Sequence, residues 1–189
     1  MDDPALGLAR DRVVVRPYDD RWPQAFAEES ARLRALLGPL ARALEHVGST
    51  ATPGLPAKPV LDVAIAYAHR SALEAMRDLL ARAGYEDRGD QGEQGGVVFV
   101  KGPATRRTHH LHLVAEASAQ WRRYLASRDA LRRDDSLRAR YGALKGALAR
   151  RFPADRVAYT AGKDDFVADV LAKVAPARAG TFPEAGSDM

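Results

Sequence analysis

Between residues 51 and 59 the chain carries Pro53, Pro56 and Pro59 together with Gly54. The next eight residues, Val60-Leu61-Asp62-Val63-Ala64-Ile65-Ala66-Tyr67, are apolar but for Asp62. Proline fixes φ and removes an N–H, so 51–59 predicts an irregular loop. The short β-branched run after it predicts a strand. Alternation then puts Leu61, Val63 and Ile65 on one face, and Asp62, Ala64 and Ala66 on the other. An ionised carboxylate in so apolar a run costs on the order of several kcal/mol unless it is paired or bound to a cation. The small alanines leave open space above its face. Two readings stay open: Asp62 pairs with an arginine or caps a loop, or it serves ligand or metal chemistry.

A second strand is predicted at Thr108-His109-His110-Leu111-His112-Leu113-Val114, which holds three of the chain's five histidines. The pleat places His110 and His112 on one face, about 7 Å apart, with Leu111 and Leu113 towards the core. Two such imidazoles can converge on a metal or a phosphate, or hydrogen-bond ordinary loop backbone. Arg106 and Arg107 lead into this strand and could clamp a phosphate. Upstream, Gly48-Ser49-Thr50 follows a predicted strand at 42–47. There glycine would let a ligand approach the backbone, and the serine hydroxyl could hold a phosphate oxygen. Lys58, just ahead of the Asp62 strand, is close enough to reach the same pocket. Lys163, after Tyr159-Thr160, could place a cation one turn into the last helix, or serve a structural role there. Arg128 and Asp129 read as a structural ion pair.

The remaining pattern is mostly helical. Phe26, Leu33, Leu36 and Leu37 form one stripe ended by Gly38-Pro39, and residues 71–83 read as a helix with Ser71 and Glu74 as a capping box. Residues 13–15 and 97–101 read as strands, and 89–96 as a mobile Gly-rich loop. Helices are expected over 117–132, 135–151 and 155–174. The fold class is therefore α+β: a mixed β-sheet flanked by helices, with a C-terminal helical segment packed on it. Residues 1–10 are expected to be a flexible arm, 11–174 one domain, and 175–189 a disordered tail.

With no cysteine in the chain, disulfides, thiolate metal sites and a cysteine nucleophile are excluded. No apolar run approaches the ~20 residues needed to cross a bilayer, and Met-Asp-Asp-Pro lacks the apolar segment of a signal peptide. A cytoplasmic protein without membrane contact is expected. Its net charge of +4 is spread among acids rather than gathered in a stripe, so nucleic acid is not the expected partner. Oligomeric state is not legible.

Several motifs together resemble the GrpB family: Arg16-Pro17-Tyr18-Asp19 with Trp22-Pro23, Glu45-His46-Val47-Gly48-Ser49-Thr50-Ala51, Ala57-Lys58-Pro59 with Asp62, the 108–113 histidine strand, Arg128-Asp129, Leu144-Lys145, and Tyr159-Thr160 with Lys163. The similarity runs over about residues 13–174. It implies a nucleotidyltransferase-like fold. In such a fold Gly48, Ser49 and Thr50 would hold a triphosphate, with Lys58, Arg106, Arg107 and Lys163 in support. Asp62 would be the first metal carboxylate of a two-cation transfer. The sequence departs from that pattern at Ala64, where a second carboxylate belongs, and in offering His110 and His112 where a third would come. Mg²⁺ prefers oxygen ligands, whereas one Asp with two His suits Zn²⁺, Mn²⁺ or Fe²⁺. The resemblance thus implies an enzyme binding a nucleotide or phosphorylated metabolite and a divalent metal, Mg²⁺ or Mn²⁺ with Zn²⁺ as a further candidate. Asp62, His110 and His112 would be both its catalytic and its metal residues. The alternative is a catalytically inactive binding module of the same fold, linked to coenzyme A metabolism because family members occur fused to dephospho-CoA kinase.

Overall fold

The apolar run behind the proline loop forms the central strand of a five-stranded sheet. A computed structural model describes residues 5–91 and 96–174. In chain order the elements are α1 (Trp22–Leu37), β1 (Ala43–Val47), β2 (Leu61–Tyr67), α2 (Arg70–Arg82), β3 (Glu86–Asp90), β4 (Val97–Lys101), β5 (His109–Ala115), α3 (Ala119–Arg133), α4 (Asp135–Arg151), α5 (Arg156–Ala161) and α6 (Asp164–Val174). The strand order is β1-β2-β5-β4-β3. Only the β2–β5 pair is parallel; the other neighbours run antiparallel. The α+β class and the mixed sheet are as the sequence implies.

Alternation along the strands sorts the two faces. Leu44, Val63, Ile65, Leu111, Leu113, Val97 and Phe99 point to one side and pack with Leu33 and Leu37 of α1 and Met76 and Leu80 of α2. Leu33, Ile65, Met76, Phe99 and Leu111 are wholly buried, and truncating one such side chain to alanine costs about 2–5 kcal/mol. The opposite face carries Asp62, His110 and His112. It is partly roofed by the C-terminal helices, where Leu55, Leu131 and Tyr141 form a second core with Phe166 and Val167.

Several elements differ from expectation. Residues 13–15 form no strand: Val13 N–H donates to Pro153 O, and the neighbouring Arg16 makes an isolated bridge with Ala57. A β-branched run without a neighbouring ladder stays irregular. Ser71 does not cap α2; the cap is His69, whose Nδ1 accepts from Ala72 N–H at 3.3 Å while Ser71 Oγ hydrogen-bonds that same nitrogen at 2.7 Å. Strand β3 occupies part of the expected 89–96 loop, and residues 92–95 lie outside the described residues. The last helix is broken between α5 and α6, with Lys163 in the break. From residue 5 the N-terminal arm is tied down: Gly7 N–H donates to Pro59 O, Leu8 pairs with Arg107, and Trp22 Nε1 donates to Ala5 O. The expected tail at 175–189 lies outside the described residues. Among the described residues no helix is long and apolar enough to cross a membrane.

Candidate functional site

The register of the parallel pair creates the site. Asp62 lies opposite His110, and Ala64 opposite His112. Both imidazoles reach back to one oxygen: His110 Nδ1 and His112 Nε2 each lie 3.2 Å from Asp62 Oδ1. A carboxylate can only accept, so both nitrogens donate. His110 Nε2 in turn lies 3.2 Å from Arg156 Nη2. A guanidinium can only donate, which fixes His110 as the Nδ1–H tautomer. His112 Nδ1 is buried without a hydrogen-bond partner among the described residues. Burial opposes ionisation of Asp62, but the two imidazoles outweigh it and hold the carboxyl well below its ordinary range. Burial also lowers His110, against the pull of Asp62.

The second oxygen of Asp62 meets the glycine turn. Gly48 has φ +69°, and a β-carbon there would come 2.6 Å from Asp62 Oδ2. The turn therefore needs glycine both for its backbone and for the carboxylate behind it. Ser49 opens the short 3-10 turn after Gly48 and lies within hydrogen-bonding reach of the Tyr141 hydroxyl. Thr50 does not face the pocket: it is buried, and its Oγ1 bonds His46 Nε2 at 3.0 Å. Arg106 also lies elsewhere, along Gly7 with Nη2 donating to Leu6 O at 3.2 Å. Arg107 is buried in an ion pair with Glu86. Arg128 does form the expected structural pair, with Asp129 and with Glu45, pinning α3 to β1.

Below the turn three lysines meet. Lys58 and Lys163 lie 5.1 and 4.8 Å from the centre of the Tyr159 ring, and Lys145 lies 4.7 Å from that of Tyr141. Burial, then repulsion from Arg156 and Lys163, brings Lys58 down to about 7. Burial and the other two lysines bring Lys145 to about 6. Lys163 is lowered by burial, with Asp62 opposing. Among the described residues none of the three is ion-paired with a carboxylate. Lys145, whose amine donates to Pro56 O, is a residue that spacing alone did not single out. Its signal was a lysine inside the buried stripe of Tyr141 and Leu148 on α4.

Two hollows flank the Asp62 group and share Tyr124. One of about 220 Å³ is lined by Gly48, Ser49, Tyr124, Arg128, Tyr141 and Leu171 among others. The other, about 840 Å³, lies over β4 and β5 with His110 and His112 on its floor.

The pattern that defines the family described as GrpB protein matches residues 12–173. This chain belongs to the GrpB family. A UPF0157 protein of Pseudomonas aeruginosa is 40% identical over 166 residues, 86% of this chain and 68% of that one. A UPF0157 protein of Bacillus subtilis, YqkA, is 33% identical over 82% of this chain, which spans 45% of that relative's length. The solved structure of the conserved protein GrpB from Enterococcus faecalis superposes with a TM-score of 0.77 at 32% identity, covering 85% of this chain and 96% of that one. More loosely, 81 residues are 37% identical to part of a dephospho-CoA kinase of Mycolicibacterium paratuberculosis, covering 41% of this chain and 20% of that one. A chain of Cid1 in complex with ApU overlaps 72% of this chain and 43% of its own length at 16% identity and a TM-score of 0.49. The GrpB family match and the Enterococcus faecalis structure thus span most of the described residues.

Proposed function

We propose that this GrpB protein binds the phosphate groups of a nucleotide or phosphorylated metabolite between the Ser49 turn and Lys58 and Lys163, beside Asp62, His110 and His112. The observation that carries this is the lysine group: the buried amine of Lys145 and the partly buried amines of Lys58 and Lys163, none with a carboxylate partner among the described residues. Buried cations are costly unless compensated. An anion with several oxygens, seated against a glycine turn, supplies that compensation. The match to part of a dephospho-CoA kinase makes phosphorylated coenzyme A precursors, alongside nucleotides, the ligands to test first. A cytoplasmic setting accords with the cysteine-free chain.

A pair of magnesium ions does not fit the residues present. Ala64 is fully buried where a second carboxylate would be needed. Among the described residues no three His, Asp or Glu side chains converge with the spacing of a metal cage. Asp62 is moreover surrounded by Lys58, Lys163 and Arg156, whose charges act on it and repel a free cation. Proton handling fits better. Asp62 orients His112 through its Nε2–H and leaves the Nδ1 lone pair unclaimed, as a carboxylate orients the imidazole base of a triad. The second reading is a binding module without catalysis, and Ala64 is what favours it.

A thermal-shift panel of nucleotides, coenzyme A precursors and inorganic pyrophosphate, with and without Mg²⁺, tests the reading. Ligands that bind only the native state raise its apparent stability. At least one phosphate ligand should raise the melting temperature without added metal, and Lys163→Ala should reduce that rise. A flat panel, or a rise that Lys58→Ala and Lys163→Ala both leave intact, overturns it.

A further inference from the structure

The larger cleft has a chemistry of its own. Its rim and floor hold Arg10, Arg88, Arg107 and Arg156, together with Asp164 and both site histidines. Arg88 and Arg107 share a single carboxylate, Glu86. Arg156 reaches only His110 among the described residues, and Arg10 and Arg107 repel it while Asp62 attracts it. The Arg10 N–H donates to Ala104 O, and its guanidinium has no partner among the described residues. Four guanidiniums therefore line one hollow whose volume suits a small organic molecule, and two of them, Arg10 and Arg156, have no carboxylate partner among the described residues. Guanidinium forks match carboxylates and phosphates geometrically. Asp164 in the lining, and Glu86 paired with Arg88 and Arg107, break any continuous basic track of the kind a nucleic-acid backbone needs.

The geometry points to a second ligand site: a small molecule bearing a carboxylate or phosphate group, clamped by Arg156 and Arg10 with its body over β4 and β5 and its near end at His110. This deepens the reading above, because Asp62, His110 and His112 lie between the two hollows, with the phosphate ligand on the Ser49 side and the anionic second molecule on the arginine side. Tyr124 forms part of both walls. A second molecule held here is brought to the imidazoles rather than to the lysines.

The histidine ring signals of the full chain, followed by NMR, report on the cleft directly. Malonate serves as a dicarboxylate probe and glycerol 3-phosphate as a phosphomonoester probe. One or both should shift His110 and His112 with saturation, and the arm that binds tighter names the anion. Arg156→Ala should weaken that binding roughly tenfold or more, the scale of losing one charge-assisted contact. Arg10→Ala, at an exposed position, serves as the variant whose folding is not in question and should weaken it as well. Lys163→Ala should leave it unchanged. Loss with Lys163→Ala but not with the arginine variants would mean a single anion site at the lysines and would overturn the second site. Absence of any shift with either probe overturns it too, as does tighter binding of a single-stranded RNA oligonucleotide to the same histidines. If pyrophosphate stabilisation proves indifferent to Lys58 and Lys163 while the arginine effects stand, the phosphate reading fails and the cleft survives.

Discussion

Gly48 and Asp62 are in contact across the first two strands: a β-carbon on residue 48 would lie 2.6 Å from Asp62 Oδ2. The turn that would face a phosphate and the carboxylate that orients the histidines are two sides of one contact.

Gly48→Ala should therefore damage both. The φ of +69° and the clash together should cost about 1–3 kcal/mol, read as a lower urea midpoint. Phosphate-ligand stabilisation should fall in the same variant even where the protein remains folded. A variant as stable as the parent, with undiminished ligand response, would show that the contact is not needed.

Asp62→Asn should separate binding from proton handling. Removing the negative charge relieves repulsion of a phosphate, so affinity should hold or rise. His110 is already lowered by burial and is drawn upward by Asp62, so its imidazole should titrate lower still in the variant. Histidine NMR across a pH series gives the answer.

The buried amine of Lys145 predicts an unusual pH profile. Its folded value of about 6 lies far below the ordinary 10.5, so the unfolded chain holds the extra proton between them. This lysine thus withdraws stability as pH falls from about 10.5 to 6, by on the order of a few kcal/mol, and no more below that. Lys145→Met should be stabilising at pH 7 and much less so at pH 10, by urea unfolding at the two values.

Acid should act through two other buried groups. His46 and His109 are each brought by burial to about 4 from 6.5, so the unfolded state binds the protons first. Stability should decline as pH falls from about 6.5 to 4, by roughly 3 kcal/mol per group at most. His46→Gln should flatten part of that decline in acid titrations of unfolding.

Chelation should change little. Because Asp62 has lysines and an arginine around it and Ala64 beyond it, the purified protein should hold no stoichiometric divalent metal by elemental analysis. EDTA should leave its melting temperature unmoved. A one-to-one content of zinc or manganese, lost in His112→Ala, would restore a metal role.

How much of this the sequence could show depends on the range of the interaction involved. The faces of β2 and β5 were legible because alternation is local: Asp62, His110 and His112 could be placed on one side of their strands. Their convergence on one oxygen was not, because it depends on β2 and β5 being parallel neighbours in a register set by residues far apart. The placement of the Thr50 side chain was not legible for a similar reason, since only tertiary structure brings His46 to its hydroxyl. Strand β3, Glu86-Asp87-Arg88-Gly89-Asp90, has no apolar face to detect; it is an edge strand held by backbone pairing to β4. Lys145 entered only within the Leu144-Lys145 motif of the resemblance, and burial is what made it part of the site.

The parallel pairing of β2 with β5 has a consequence for how the pocket comes into being. Asp62 and His110 are separated by 48 residues of chain, and α2, β3 and β4 must all be laid down before they can meet. A nascent or truncated chain that stops short of β5 would carry the glycine turn and the carboxylate but neither imidazole. Long-range closures of this kind form late. The pocket is thus a certificate of completed folding, and a ligand that needs the histidines will select finished molecules from unfinished ones.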